Sequence, residues 1–544
     1  MHVQISGRCV WRYLINMIAN IVDNQWVYLS HITDPEDQVL WEEFSVSKPN
    51  AYIDPAMRGN WDGIYRKYNR AKRRLARPLL DMLISICAKH NLPLSIEDKR
   101  QEWAHSAVKV EDINHDFLPN ITLEEYQLRA IRKCAISECG IIDMPTGSGK
   151  GEIICGICKA IPAPTMILAD QKVVVDQLKK RLELRTIVEH VGLFYAGKKP
   201  TGELIVVGLI QSLAPPKKPP PVPNRKPGET DLAYSKRLDK HDQMYRAYQT
   251  RLKNVKFLHA YIKKAELLIV DECDKATSES YKSLFRYWYK GRRRFGLSAT
   301  PMDPDKPVEA MVVQEHLGSI IVQETRDEVL KLGRIVPCHY KMIAVGLDGS
   351  AEDATAFDMA YVEHLVDNKK LHDLIASICK KYNETGTLIL VDRKDLGFAL
   401  ESAINAMGIK AHFIYGETVK RKRDEILKQF ERREFNVLIG GKIINRGLDL
   451  AGGCENLIIA GSFKLQSDLI QKVGRALRKN TQGYSRIFDF LFRCNRYLYS
   501  HSKARLKAIV RAGFDAKVVF PGGVIDGREF IEKRRFRVER KYLG

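Results

Sequence analysis

The chain has 544 residues, with 88 Lys and Arg against 66 Asp and Glu, a formal net charge of +22. Hydrophobic residues make up 45% and charged residues 28%, which excludes wholesale disorder, and the length is enough for three or four domains. No apolar run reaches the roughly 18 residues of a membrane span, no signal-peptide pattern opens the chain, and eleven irregularly spaced cysteines argue against a disulfide scaffold. A soluble, cytoplasmic, multidomain protein with a polyanionic partner is the expectation.

The first 105 residues read as a small α/β unit. Val27 to Ile32 has strand character, and Leu79 to His90 has the spacing of an amphipathic helix that Asn91-Leu-Pro ends. Arg58 to Arg77 holds eight basic residues and one acid, interleaved with Trp61, Tyr65 and Tyr68. Arg58, Trp61, Arg73 and Arg74 are therefore candidate contacts to phosphates and bases. A charged linker follows to about Asp116.

From residue 106 to 325 short apolar runs alternate with helical stretches, at Gly140–Met144, Thr165–Ala169, Leu204–Gly208, Leu267–Val270 and Phe295–Ser298. The pattern returns from 326 to 512, at Thr387–Val391, Ala411–Tyr415, Val437–Gly440 and Asn456–Ala460. Such alternation predicts an α/β fold of two tandem parallel-sheet domains. Seven prolines within Pro215–Pro227 interrupt the first domain, and a basic, Tyr-rich, helix-permissive stretch follows to Lys264. The segment 215–264 reads as an insertion with a net charge of +9, suited to a pin or clamp on nucleic acid or to a plain surface insertion. Residues 513–544 read as a basic C-terminal tail.

Gly140-Ile-Ile-Asp-Met-Pro145-Thr146-Gly147-Ser148-Gly149-Lys150-Gly151 places a strand before a glycine-rich loop and an apolar helix. Phosphates need that arrangement: glycines admit close backbone amides, the helix N-terminus adds its dipole, and Lys150 supplies charge. Leu267-Leu-Ile-Val-Asp271-Glu272 ends a strand in two carboxylates, suiting Asp271 to Mg²⁺ and Glu272 to activating water. ATP and Mg²⁺ are the implied nucleotide and ion. Cys155 and Cys158, with Cys134 and Cys139 upstream, fall where a helix packs on a sheet and read as buried thiols; a zinc or iron–sulfur site is the alternative.

These motifs resemble those of the superfamily 2 helicases and translocases, whose fold is two RecA-like domains. By that resemblance Gln127 is the adenine reader, and Ser298-Ala299-Thr300 couples hydrolysis to movement. Asn445-Arg446-Gly447-Leu-Asp449 matches the fifth motif, with Gly447 and Asp449 toward ATP and Arg446 toward nucleic acid. Gln471, Arg475 and Arg478 match the sixth, the two arginines neutralising transition-state charge. Gly151 departs from the family's Ser or Thr, which ligates Mg²⁺. Nucleic-acid contacts are implied at Gln171, Gln211 and Ser212 in the first domain, and at Arg393, Lys394, Gly416 and Thr418 in the second.

Gly59-Asn-Trp61-Asp-Gly63 before the motor resembles the bacteriophage UvsW-type branch-migration DNA helicases. That likeness implies work on branched or forked DNA in recombination and repair: fork regression, Holliday junction migration, and D-loop or RNA–DNA hybrid unwinding, in the cytoplasm of a bacterial host. The motor motifs alone also allow a double-strand DNA translocase of restriction-motor type, an RNA helicase, or a junction-binding protein with a weakened ATP site.

Overall fold

The computed structural model describes residues 16–49, 61–186, 188–195, 197–213, 218–288, 291–333, 335–345, 356–441, 454–463 and 482–532. The chain divides into two compact units. The first holds a small mixed sheet and a parallel sheet, and the second holds another sheet, parallel but for its last strand.

In the small sheet Met17–Ile21 pairs antiparallel with Trp26–Ser30 and parallel with Leu94–Asp98, and Arg74–Ala76 forms the other edge. Its helix Leu80–Lys89 buries Leu80, Leu83, Ile86 and Cys87 on one face and ends before Leu92-Pro93, close to the expected bounds. The expected strand at Val27–Ile32 is observed as Trp26–Ser30. Met17–Ile21 and Leu94–Asp98 were not legible, because short strands of mixed composition carry no clear period.

The first parallel sheet has seven strands. In spatial order they are Ile320–Gln323, Cys139–Asp143, Arg293–Ser298, Leu267–Asp271, Thr165–Ala169, Ile205–Leu209 and Gly192–Phe194. All five expected strands are present within two residues of their expected starts and ends. Thr165–Ala169 and Leu267–Asp271 are buried along their whole length, as strands must be when helices cover both faces. Cys155 and Cys158 lie buried in the helix Lys150–Ala160, with desolvation pushing the Cys155 thiol up to about 12.

The small sheet docks on this domain through arginines gathered at one carboxylate. Glu138 accepts from Arg77 Nη2 at 2.6 Å, Arg292 Nε at 2.8 Å and Arg100 Nη2 at 3.0 Å. Burial pushes the Glu138 carboxyl up, but Arg77 and Arg100 outweigh it and hold it below the usual range. Trp103 Nε1 donates to Glu266 at 2.5 Å, and Arg293 lies 4.7 Å over the Trp103 ring. Glu138→Ala leaves three facing guanidinium groups without their shared anion. The expected loss is on the order of 2 kcal/mol, discounted for partial exposure, read as a lower urea midpoint.

The second unit's sheet has eight strands in the order Ala411–Ile414, Val437–Gly440, Thr387–Leu390, Asn456–Ile459, Ser485–Phe492, Cys338–Val345, Ala516–Phe520 and Gly523–Asp526. The four expected strands are all present. The expected tail is corrected in its first part: residues 516–526 complete the sheet as a hairpin, and Gly527–Glu532 is a helix that buries Phe530. Val518 and Phe530 join the core there, so apolar burial rather than the basic charge further on fixes this segment.

Candidate functional site

Parallel pairing lines up strand ends along one edge of the first sheet. Asp143 lies opposite Ser298, and Asp271 lies opposite Leu297 on the other side of the same strand. The phosphate-loop strand and the carboxylate strand are thus two spacings apart, about 10 Å, with Ser298-Ala299-Thr300 emerging between them. The carboxyl edge of such a sheet is where doubly wound folds bind ligands.

From Asp143 the chain enters the loop 144–149 and then the helix Lys150–Ala160. Gly147 and Gly149 take φ of +93° and +80°, a left-handed backbone that other residues adopt only under strain. The Ser148 amide donates to the Pro145 carbonyl at 3.3 Å, and Lys150 Nζ donates to the Met144 carbonyl at 3.3 Å, so the lysine folds back over its own loop. Thr146 Oγ1 is buried without a hydrogen-bond partner among the described residues. A loop with two left-handed glycines, a lysine and a buried hydroxyl fits a nucleotide's phosphates.

At Gly151 an added Cβ would fall 2.1 Å from Arg181 Nη1. Arg181 reaches there from the helix Lys172–Arg185 and lies 3.5 Å from Glu152. The volume that a family Ser or Thr would fill therefore holds the end of the Arg181 side chain.

Asp271 is buried at the end of its strand, and Glu272 turns sharply into a left-handed conformation at φ 54°, ψ 56°. Glu272 Oε2 is buried with no hydrogen-bond partner among the described residues. A buried carboxylate oxygen left open beside a second carboxylate fits a metal ion and its water. Asp271 would hold Mg²⁺ at this edge, and the ion would supply charge neutralisation to the phosphates.

Asp274, in the same acidic turn, has a contact that the motif alone does not assign. Its Oδ1 accepts from Ser298 Oγ at 3.0 Å, and Ser298 Oγ accepts from the Thr300 amide at 3.2 Å. Burial first, and then the Glu272 charge, push the Asp274 carboxyl up to about 7. The acidic turn and the Ser-Ala-Thr segment are therefore joined by side chains. Position +3 from Asp271 was the available signal.

Gln127 is buried, and its Oε1 accepts from the Glu124 amide at 2.9 Å in a reciprocal cap at the start of the helix Glu125–Ile136. Its amide thus contributes to holding its own helix end.

Two of the expected nucleic-acid strand ends meet. Gln211 Nε2 donates to the Asp170 carbonyl at 2.9 Å, and Lys275 Nζ pairs with Asp170 Oδ2 at 2.5 Å. This ties the residue before Gln171 both to the loop of Gln211 and Ser212 and to the acidic turn. Gln171 Oε1 is buried without a hydrogen-bond partner among the described residues.

In the second unit Arg393 lies 4.1 Å over the Tyr361 ring and pairs with Asp358. Lys394 pairs with Glu417, joining the ends of strands Thr387–Leu390 and Ala411–Ile414. Thr418 Oγ1 accepts from the Tyr415 amide at 3.1 Å, and Gly416 has open space where a Cβ would stand.

In the small sheet's unit Trp61 Nε1 donates to the Ile64 carbonyl at 3.1 Å, Asp62 pairs with Arg66 at 2.6 Å, and Gly63 has φ 75°. The described part of the Gly59–Gly63 motif is thus a tight turn with a packed indole. Arg74 lies 3.9 Å over the Trp26 ring, and Arg73 is exposed. Arg58, Arg446, Gly447, Asp449, Gln471, Arg475 and Arg478 lie outside the described residues.

The family described as "Type III restriction enzyme, res subunit" matches residues 120–303, and "Helicase conserved C-terminal domain" matches residues 368–480, together more than half of the chain. The chain belongs to the superfamily 2 helicases. One match falls in each of the two parallel-sheet domains, and the family's engine is a nucleic-acid-dependent ATPase.

Among relatives, the DNA 3′-5′ translocase XPB2 of Sulfurisphaera tokodaii is 21% identical over 435 residues, 71% of this chain and 87% of XPB2. IRC3 of Saccharomyces cerevisiae is 25% identical over 272 residues, 47% of this chain. The chain spans only 38% of the length of IRC3. Among solved structures, the DNA-bound restriction-modification enzyme LlaBIII superposes with a TM-score of 0.51 at 11% identity, over 74% of this chain and 32% of that one. T4 UvsW superposes with a TM-score of 0.43 at 14% identity, over 93% of this chain and 100% of that one. Among the described residues no helix is long and apolar enough to cross a membrane.

Proposed function

We propose that this superfamily 2 chain is an ATP-driven DNA helicase that remodels branched DNA in recombination and repair. The observation that carries the motor reading is the single sheet edge on which the phosphate-loop strand, Asp271-Glu272 and Ser298–Thr300 end side by side. In this reading Lys150 binds phosphates, Asp271 holds Mg²⁺ and Glu272 takes the proton of the attacking water. The family's sixth motif supplies Gln471, Arg475 and Arg478 from the second domain, and Gly447 and Asp449 complete ATP binding. Ser298 and Thr300, through Asp274, carry the state of the acidic turn toward Lys275 and Asp170, and so to the Gln171 and Gln211 loops. Gln171, Gln211, Ser212, Arg393, Lys394, Gly416, Thr418 and Arg446 position the strand through phosphate and sugar rather than by sequence.

The branched substrate rests on the N-terminal unit: its Gly59–Gly63 motif and its dense cations, with Arg58, Trp61, Arg73 and Arg74 as contacts. ATP-dependent unwinding of a synthetic four-way junction, beside a tailed DNA duplex and an RNA duplex, tests it. The junction is expected to be resolved at least tenfold faster than either control. Equal rates on all three would refute a branched-DNA preference. The match to a restriction-enzyme subunit favours a second reading, translocation along duplex DNA without strand separation. Displacement of a triplex-forming strand with no unwinding of any duplex would identify that activity.

A further inference from the structure

The helix Asp231–Ile262 is 32 residues long, about 48 Å, and follows the proline-rich segment. Its last turns are anchored in the core: Val255, Leu258 and Ile262 are buried, and Leu258 and Ile262 share a cluster with Leu268 and Trp288. Before Val255, only His241 is buried, where Nε2 lies 3.3 Å from the Pro220 carbonyl of the proline-rich segment. The rest is an exposed arm.

Charge divides this helix into two parts. From Asp231 to Asp242, three acids balance three Lys and Arg residues, as on an ordinary solvated face. From Gln243 to Ile262 there are four Lys and Arg residues, all exposed, and no acid. Arg246, Lys253 and Lys256 follow helical spacing along one face, turned away from the face that buries Val255, Leu258 and Ile262. Tyr245 borders the same face, with 42% of its surface exposed and its ring in a row between those of His241 at 6.0 Å and Tyr248 at 6.3 Å. A one-signed row of cations beside an exposed ring is complementary to a polyanion carrying flat apolar groups. Duplex DNA offers phosphates but keeps its base faces stacked; an unpaired strand offers both.

We propose that this arm is a second binding site for single-stranded nucleic acid, with phosphates on Arg246, Lys253 and Lys256 and a base stacked on Tyr245. The inference rests on the reading of the chain as a nucleic-acid motor and adds a site outside its motor motifs. It gives a helicase a place to hold a strand once separated.

The test is anisotropy of a fluorescein-labelled oligothymidylate of about 20 nucleotides, titrated with the full chain in the absence of ATP. The triple variant Arg246→Ala/Lys253→Ala/Lys256→Ala is expected to bind about tenfold more weakly near 0.1 M salt. Its log–log salt slope should be shallower by about 2, from about 0.7 per lost phosphate contact. Tyr245→Ala is expected to lose about fivefold or more with an unchanged slope, and Tyr245→Phe to keep wild-type affinity. Should the triple variant not fold, Lys253→Ala alone is expected to lower the slope by about 0.7. Affinities within twofold of wild type and unchanged slopes overturn the proposal, as does an equal Tyr245→Ala loss on a blunt duplex. A wild-type chain that binds no oligonucleotide at all overturns the motor reading as well.

Discussion

Glu272→Gln is expected to lower nucleic-acid-stimulated ATP turnover by roughly 10²- to 10⁴-fold while leaving ATP affinity within a few-fold of wild type. The substitution keeps the size and shape of the side chain but removes its ability to accept a proton. Geometry supports the separation of the two effects. Glu272 stands just beyond the buried strand Leu267–Asp271, in a left-handed turn, with Oε2 buried and open among the described residues. In the proposed reading the phosphates are held by the loop 144–149 and Lys150, so nucleotide affinity is expected to survive the loss of this carboxylate's charge. A coupled assay with single-stranded DNA reads turnover, and titration with a fluorescent ATP analogue reads affinity. Turnover equal to wild type would remove Glu272 from the role of general base. Loss of both turnover and affinity would make it part of the binding site instead.

The second large effect is on stability. Asp489 lies fully buried in the strand Ser485–Phe492 and accepts from Arg505 Nη2 at 2.8 Å, Arg505 Nε at 2.9 Å and Tyr340 Oη at 2.5 Å. Arg505 comes from the helix Arg496–Arg511 and is itself buried, and Tyr340 comes from the neighbouring strand. Asp489→Ala strands a guanidinium in the core without its paired carboxylate, at an expected loss of about 3–5 kcal/mol. That is a large part of a typical domain's stability, so the second unit is expected to unfold at a lower urea concentration than the first. Separating the two transitions by fluorescence and by limited proteolysis checks this. Replacing all three residues together (Asp489→Leu, Arg505→Met, Tyr340→Phe) removes the charges as well as the pairing and is expected to be far less harmful. A single-variant loss below about 1 kcal/mol would show that water reaches Arg505.

Much of the fold was legible because its signals are local. Strands such as Leu267–Asp271 and Thr165–Ala169 are continuous apolar runs, since helices cover both faces of the sheet. The long helix was legible between its proline-rich leader and the strand that follows, and it spans Asp231–Ile262 against an expected 230–264. The strands Cys338–Val345 and Ala516–Phe520 were less legible because charged or polar side chains interrupt their apolar residues, among them His339, Lys341 and Lys517. They are strands because Ser485–Phe492 and its neighbours pair with them, which no local window contains.

The sequence by itself determined the chemistry on offer: a glycine-rich phosphate loop ending at Lys150, a strand ending in Asp271-Glu272, and a family order of motifs along two alternating α/β stretches. Backbone conformation and apolar periodicity are written residue by residue, so these could be read. Only the tertiary structure decided who meets whom. It set the Ser298 strand between those of Asp143 and Asp271, bonded Ser298 to Asp274, paired Asp170 with Lys275, and gathered three arginines on Glu138. It also left one arm of a long helix bare, with its cations on the side away from the core. The physical reason is that a strand's place in a sheet and a charge's partner are fixed by burial and pairing across a hundred residues or more. A local pattern holds no record of them.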